Sequence, residues 1–331
     1  MTTFDGQLFA LSYSCDLGER MAEHLGVALA AVEEREFEGG EHKTRPLVNV
    51  RGRDVYVVAS LAGDSDHTAN DKLCRLLFFI GALKEASADS VTAVVPYLCY
   101  GRKDRQTKAR DPVTTRYIAQ LFEAVGTDRL VAIDVHNLAA FQNAMRIPTD
   151  HLEATQLFVE HVGDTMGDAA LVVVSPDIGG VKRAERFRSR LATELGADIE
   201  LAFTGKHRSR GVVSGPDRVL GDVEGKVALV IDDLISSGGT MARVADMLVR
   251  QGSTQVHLLA THGALMPGAA ALFSDPSVDG VVLTDSIVPG RLPADVVGDR
   301  LTVLEVGPLL AQAISAIHEN GSLTELLQLD R

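Results

Sequence analysis

Residues 227–240 carry the densest chemistry in the chain. An apolar run, Val227-Ala-Leu-Val-Ile231, ends in two adjacent carboxylates, Asp232 and Asp233, and Ser236-Ser237-Gly238-Gly239-Thr240 follows shortly after. A helical pattern opens at Met241. The order is strand, phosphate-sized turn, helix N-terminus. Gly238 and Gly239 let the backbone approach a ligand closely and turn N–H groups inward. Ser236, Ser237 and Thr240 add hydroxyl donors, and the helix N-terminus favours an anion. The two carboxylates would repel that anion, so they suit the vicinal hydroxyls of a sugar, or a metal ion. A sugar phosphate satisfies both halves. The bland alternative is a βα turn whose glycines only relieve crowding, and the paired acids in front of it weigh against that. A Walker A loop is excluded, because Gly-Lys-Ser/Thr is missing at the required spacing.

Four further segments bear charge at or just after predicted strand ends. Leu171–Val174 leads into Ser175-Pro-Asp-Ile-Gly-Gly180 and then a basic helix with Lys182, Arg183, Arg186, Arg188 and Arg190. This reads as a second anion site suited to a pyrophosphate, with Asp177 placed for a metal. Arg102, Lys103, Arg105, Lys108 and Arg110 follow the strand Val91–Val95. Ligands gather at the carboxyl ends of parallel strands, so this cluster is a polyphosphate candidate; the alternative is a solvated loop. Asp134-Val-His136 ends the strand Leu130–Ile133. Its histidine can ligate a metal, bond a phosphate or simply cap a loop. Gly205-Lys-His-Arg-Ser-Arg-Gly211 fits neither the helical nor the strand period and reads as a mobile loop whose cations, Lys206, Arg208 and Arg210, seek an anion.

The elements that must position these groups alternate. Apolar runs at 8–11, 55–59, 91–95 and 130–133 predict buried strands, and helices are expected over 17–31, 70–86 and 114–124. A polar segment runs from Glu33 to Arg45. In the second half, helices are expected over 152–163, 241–251 and 308–318, with strands at 171–174, 199–203, 227–231, 256–260, 281–283 and 301–305. Alternation of this kind implies an α/β fold with mainly parallel sheets flanked by helices. The same pattern in both halves suggests a duplicated unit with a hinge near Asp150.

Composition narrows the classes. The chain has 331 residues, about two domains' worth, and 46% hydrophobic residues suffice for two cores. Lys and Arg number 32 against 45 Asp and Glu, a net charge of −13, which argues against nucleic-acid or anionic-membrane partners. Cys15, Cys74 and Cys99 show no metal-type spacing and imply a reduced interior without disulfides. No signal pattern or apolar run of membrane length stands out, so a cytoplasmic protein is expected.

Taken together and in order, these segments resemble the ribose-phosphate pyrophosphokinases, within the type I phosphoribosyltransferase superfamily. Pro96-Tyr…Tyr100-Gly-Arg-Lys-Asp-Arg105 resembles their ATP motif, and Asp134-Val-His136…Ile147-Pro148…Asp150-His-Leu their metal-histidine region. Ser175–Gly180 resembles the pyrophosphate loop, Lys206-His-Arg208 the flexible catalytic loop, residues 230–240 the ribose-5-phosphate loop, and Val306-Gly-Pro-Leu-Leu310 the start of the final helix. The similarity runs almost end to end. It implies two tandem, similar phosphoribosyltransferase-type domains, 1–150 with the ATP segments and 151–331 with the other loops, the final helix packing on the N-terminal domain. It implies transfer of the β,γ-diphosphoryl group of Mg-ATP to the 1-hydroxyl of ribose 5-phosphate, giving 5-phosphoribosyl 1-diphosphate (PRPP) and AMP. By position, Phe37, Gly39, Gly40, Glu41, Arg102, Lys103, Asp104 and His136 would bind ATP. His136 and Asp177 would bind Mg²⁺, with Asp177, Gly179 and Gly180 in the pyrophosphate loop. Lys206 and Arg208 would be catalytic. Asp232, Asp233, Ser236, Ser237, Gly238, Gly239 and Thr240 would hold ribose 5-phosphate. The assembly implied is a homo-oligomer built from dimers, up to a hexamer.

Four positions depart from the family pattern. Gly39-Gly40-Glu41 stands where Asp-Gly-Glu is usual, Lys103 where Gln is, and Ser236 where many members have a third Asp. Glu85 replaces a basic residue after Ala-Leu-Lys, which leaves regulation by inorganic phosphate and ADP open. Two rival readings share parts of the site. A PRPP-consuming phosphoribosyltransferase would need the ribose loop but not the basic loop at 102–110. A non-catalytic nucleotide-binding regulator would not need Lys206, Arg208 or both metal-ligand candidates.

Overall fold

A computed structural model describes residues 4–205, 208–209, 212–213, 218–288, 290 and 292–326. Within it the chain forms two compact units. The first takes the chain through Glu153, together with Ser286–Val288 and the segment from Glu305 onward. The second takes Ala154–Asp285 and Pro289–Leu304. Asp150 lies inside a strand, and the chain leaves the first unit only after Glu153.

The first unit begins β1 (Gln7–Ala10), α1 (Cys15–Leu25), β2 (Val32–Glu36) and β3 (His42–Pro46). It continues with β4 (Asp54–Val58), α2 (Ala69–Glu85), β5 (Ser90–Val94), α3 (Thr114–Ala124), β6 (Arg129–Ile133), α4 (Leu138–Ala144) and β7 (Thr149–Leu152). Strands β1-β4-β5-β6-β7 make one sheet, parallel throughout. Successive side chains point to opposite faces. Phe9, Val57, Ala93 and Ala132 therefore share one face, packed with Leu76 and Ile80 of α2 and Phe122 of α3. On the other side, α1 packs on β1 and against the closing helix, Gly307–His318. Thr68 starts α2 with a reciprocal cap: Asp71 N–H donates to its hydroxyl at 3.2 Å, and its own N–H donates to the Asp71 carboxylate at 2.8 Å.

One expectation fails here, and one segment without an assignment gains a structure. Helix α1 stops at Leu25 rather than running to residue 31, because Gly26 takes the left-handed conformation at φ 69° and ends it. The polar segment 33–45 is a β-hairpin, β2 with β3, forming its own two-stranded antiparallel sheet.

The second unit contains α5 (Thr155–Met166), β8 (Leu171–Ser175), α6 (Val181–Leu195), β9 (Glu200–Gly205), β10 (Arg208–Ser209), β11 (Val212–Val213) and β12 (Arg218–Leu220). It continues with β13 (Val227–Ile235), α7 (Gly239–Arg250), β14 (Gln255–Gly263), β15 (Gly280–Thr284) and β16 (Leu301–Leu304). Its main sheet runs β12-β9-β8-β13-β14-β15-β16, with β12 the one antiparallel edge. The chain moves outward from β8 to β9, then returns to place β13 on the other side of β8. That reversal is a topological switch point, where the loops leaving two adjacent strands diverge and open a crevice at their carboxyl ends. α7 covers one face through Val244, Ala245 and Leu248, and α6 packs on β8 and β13.

Candidate active site

The loops after β8 and β13 leave the sheet on either side of the switch point. In the first, the Ser175 hydroxyl donates to the Asp177 carbonyl at 2.7 Å, and Gly180 N–H donates to Asp177 Oδ1 at 2.8 Å. Asp177 and Gly179 are exposed, and Gly180 is buried. A Cβ at Gly180 would sit 2.8 Å from the Ser175 hydroxyl, so the tight turn admits only glycine. The Asp177 carboxylate thus caps the N-terminus of α6 through Oδ1, and Oδ2 has no hydrogen bond among the described residues.

Strand β13 is longer than its apolar run predicts. It pairs with β14 as far as Ile235↔Gly263, so Asp232 and Asp233 lie within the strand rather than at its end. The β13–β14 register holds from Asp232↔Ala260 to Leu234↔His262, whereas β14 shifts register against β15 at the same place. Asp233 N–H donates to Asp232 Oδ1 at 2.8 Å. Consecutive strand residues normally face opposite sides. Here both carboxylates reach one guanidinium: Arg183 Nη1 lies 2.8 Å from Asp232 Oδ1, and Nη2 lies 3.3 Å from Asp233 Oδ1. Burial raises the Asp232 carboxyl and the adjacent Asp233 raises it further, to about 7, with Arg183 pulling it down.

Beyond Ile235 the chain turns through Ser236 and Ser237 into Gly238, which caps α7 at φ 79°. A Cβ there would meet Leu272 at 2.9 Å, so Gly238 is required by both conformation and space. Gly239 has open space around it. The hydroxyls of Ser236, Ser237 and Thr240 have no side-chain hydrogen bond among the described residues, and Ser237 and Thr240 are exposed. The first N–H groups of a helix have no partner within it, so the turn presents donors outward.

The sequence-predicted nucleotide residues lie in the first unit. Phe37, Gly39, Gly40 and Glu41 form the turn of the β2–β3 hairpin, all exposed, with Gly39 and Gly40 at φ 84° and 86°. The Arg35 guanidinium lies over the Phe37 ring, 5.1 Å from its centre. The hairpin is held along β2, up to the residue before its turn. Ser12 N–H donates to the Glu34 carboxylate at 2.6 Å, and the buried Arg75 of α2 pairs with Glu36 at 2.5 Å. Arg102, Lys103 and Asp104 lie in the loop after β5. Lys103 pairs with Asp111 at 2.6 Å, and the Asp104 carboxylate accepts from Asn137 Nδ2 at 2.6 Å. Arg102 is exposed and makes no ion pair among the described residues. His136 is exposed, three positions past the end of β6 and beside Asn137, so the loops leaving β5 and β6 are tied together next to it.

Lys206 lies outside the described residues, and Arg208 stands in the two-residue strand β10, paired with β11. Among the described residues no group of three or more His, Cys, Asp or Glu is arranged to hold a metal. Sequence reading counted Arg183 among the basic residues after Gly180 but missed its contact with the two acids. Arg183 is one of five cations on α6, and only its place three residues after the Gly180 cap sets it apart.

The N-terminal domain model of ribose phosphate pyrophosphokinase matches residues 6–126, and the phosphoribosyl synthetase-associated domain matches 208–328. A ribose-phosphate pyrophosphokinase of Caldanaerobacter subterraneus subsp. tengcongensis is 37% identical, over 97% of both chains. One from Fusobacterium nucleatum subsp. nucleatum is 35% identical, again over 97% of each. The crystal structure of phosphoribosylpyrophosphate synthetase from Mycobacterium smegmatis superposes with a TM-score of 0.85 at 36% identity, covering 95% of this chain and 99% of that one. With likeness running through both units and through the loops on either side of the switch point, the chain belongs to the ribose-phosphate pyrophosphokinase family.

Proposed function

We infer that this chain is a ribose-phosphate diphosphokinase, which moves the β,γ-diphosphoryl group of ATP onto the 1-hydroxyl of ribose 5-phosphate and releases PRPP and AMP. The observation that carries this is the match to relatives named ribose-phosphate pyrophosphokinase over 97% of their length. The Ser236–Thr240 turn holds the 5-phosphate on the α7 N-terminus, and Asp232 and Asp233 accept hydrogen bonds from the 2- and 3-hydroxyls, which orients the 1-hydroxyl. Positioning of this kind lowers a barrier by roughly 7–11 kcal/mol in favourable cases. Phe37, Gly39, Gly40 and Glu41 meet the base of ATP, and Arg102, Lys103, Asp104 and His136 its phosphates. Lys206 and Arg208 close on the transferring group and stabilise its charge. In this reading the first 150 residues carry the ATP-binding segments and residues 151–331 the pyrophosphate, flexible and ribose-5-phosphate loops.

An enzyme of this kind works with a metal ion, and Mg²⁺ is the ion proposed. The donors fit it: the exposed Asp177 keeps Oδ2 without a hydrogen bond among the described residues, and Mg²⁺ is commonly held by one or two carboxylates plus substrate phosphates. Asp177 and His136 would hold it, and when bound it would neutralise charge on the phosphate oxygens. The setting proposed is a cytoplasmic homo-oligomer built from dimers, up to a hexamer. No helix among the described residues is long and apolar enough to cross a membrane.

Purified protein incubated with Mg²⁺, ATP and ribose 5-phosphate should yield AMP and PRPP in equal amounts. Saturable ATP binding without AMP, with or without added phosphate, would instead favour a non-catalytic nucleotide binder.

A further inference from the structure

The acceptor site has a structural problem that its substrate does not solve. Two adjacent carboxylates are drawn into a sheet, within a strand whose neighbour β14 shifts register against β15 at the same level. Asp233 is buried, and the Asp232 side chain is 24% exposed. Like charges this close, away from bulk water, resist ionising together. Yet a sugar hydroxyl is held best by a charged acceptor. The site therefore needs a resident countercharge that also fixes how the two carboxylates lie relative to each other.

Arg183 meets both needs. Its two terminal nitrogens contact different carboxylates, and each contact takes Oδ1. A guanidinium is planar and rigid, so gripping two acids with two nitrogens sets their mutual orientation as well as neutralising charge. Arg183 also arises from the first turn of α6, directly after the neighbouring loop. A Cβ built on Gly180 would lie 3.7 Å from Nη1, so the guanidinium lies against the turn that Asp177 caps. One side chain thus spans the switch point, from the loop after β8 to the acids of β13.

We propose that Arg183 is the positioning residue of the acceptor site, holding Asp232 and Asp233 in the joint orientation that receives the vicinal hydroxyls of ribose 5-phosphate and registering them against the 175–180 loop. It acts through the two acids and touches neither the ATP base nor the 5-phosphate turn. The inference rests on the proposed role of those acids toward the sugar.

The test compares wild type, Arg183→Gln and Arg183→Lys in steady-state kinetics, with ribose 5-phosphate binding measured by calorimetry. AMP formation by the wild type checks the underlying reading separately; without it that reading fails, whatever the variants do. With an active wild type, Arg183→Gln should raise the KM and Kd for ribose 5-phosphate by about tenfold or more while the KM for ATP stays within about twofold. Arg183→Lys should rescue little, because an ammonium is a point charge and cannot grip both acids in a fixed plane. Unchanged sugar-phosphate affinity in Arg183→Gln, full rescue by lysine, or an equal rise in both KM values would overturn the proposal. If Arg183→Gln does not fold, the lysine variant carries the test through the same Kd, and wild-type affinity there overturns it.

Discussion

Nζ of Lys103 lies 2.6 Å from Oδ2 of Asp111, eight residues further along the same loop. The same oxygen accepts from the Thr107 hydroxyl at 2.7 Å and from the N–H groups of Thr107 and Lys108 at 3.1 and 3.0 Å. Four donors on one carboxylate oxygen of the half-buried Asp111 hold the carboxyl well below its usual range, the Lys103 contact first among them. The basic loop is therefore tied around Asp111. Asp111→Asn removes the charge that gathers those donors, and it should raise the KM for ATP by about tenfold with the KM for ribose 5-phosphate unchanged. Steady-state kinetics with each substrate varied in turn would check this. A depressed carboxyl stabilises the fold above its unfolded pKa and loses that contribution only as pH falls through the folded value, so the loop itself should not change between pH 6 and 9.

The opposite sign applies at Asp232. Its folded carboxyl is raised to about 7 from an ordinary 3.8. A raised group adds stability below its unfolded pKa and loses that contribution as pH rises through the folded one. At pH 8 the ionised acid therefore strains the fold that displays it. Asp232→Asn should raise Tm at pH 8 by about 2 °C, roughly 1 kcal/mol in a unit of this size, with a smaller gain at pH 5. Ribose 5-phosphate binding should collapse in the same variant. In the wild type, affinity for ribose 5-phosphate should fall as pH drops from about 8 to 6, followed by calorimetry in matched buffers.

Gly238 and Gly239 are adjacent, and the fold treats them differently. Gly238→Ala forces a side chain into φ 79° and against Leu272, and should cost about 2–3 kcal/mol, read as a lower Tm. Gly239→Ala meets nothing and should leave Tm unchanged. If Gly239 lines the phosphate turn, that same substitution raises the KM for ribose 5-phosphate. Thermal unfolding beside kinetics separates the two effects.

Lys206→Ala should lower kcat by about 10²–10³ with little change in either KM, as expected for a cation that acts on charge developing in the transition state. Wild-type turnover in that variant would remove Lys206 from the catalytic role.

Much of the fold was legible because buried parallel strands announce themselves. Val55-Tyr-Val-Val58 and Val91-Thr-Ala-Val94 are near-continuous apolar runs, as strands covered on both faces must be. The β2–β3 hairpin was not legible for the opposite reason. Its strands, Val-Glu-Glu-Arg-Glu and His-Lys-Thr-Arg-Pro, have no apolar alternation, and cross-strand ion pairs from Glu33 to Lys43 and Arg45 stand in for it. The overlong α1 had a different cause. Leu29 keeps the four-residue spacing past Gly26, so periodicity continued where backbone conformation did not. In the site, glycine, hydroxyl and acid types marked both loops of the second unit. The bridging role of Arg183 depends on a contact between side chains 49 residues apart, on α6 and β13, and no local pattern encodes a contact of that kind.

The closing helix sets a constraint on how the protein can be made. Gly307–His318 belongs to the first unit and packs on α1, beside Leu17 and Arg20. His318 Nε2 lies 2.6 Å from Asp5 Oδ1, joining the two extremes of that unit. During synthesis, the first unit therefore cannot complete its core when its first 153 residues have emerged. It must wait, with Leu17 and Met21 uncovered, while the whole second unit is translated. Order of synthesis and order of completion are reversed between the two units. A chain released just before residue 307 can finish the later unit, while the earlier one still shows the apolar face that chaperones and proteases recognise.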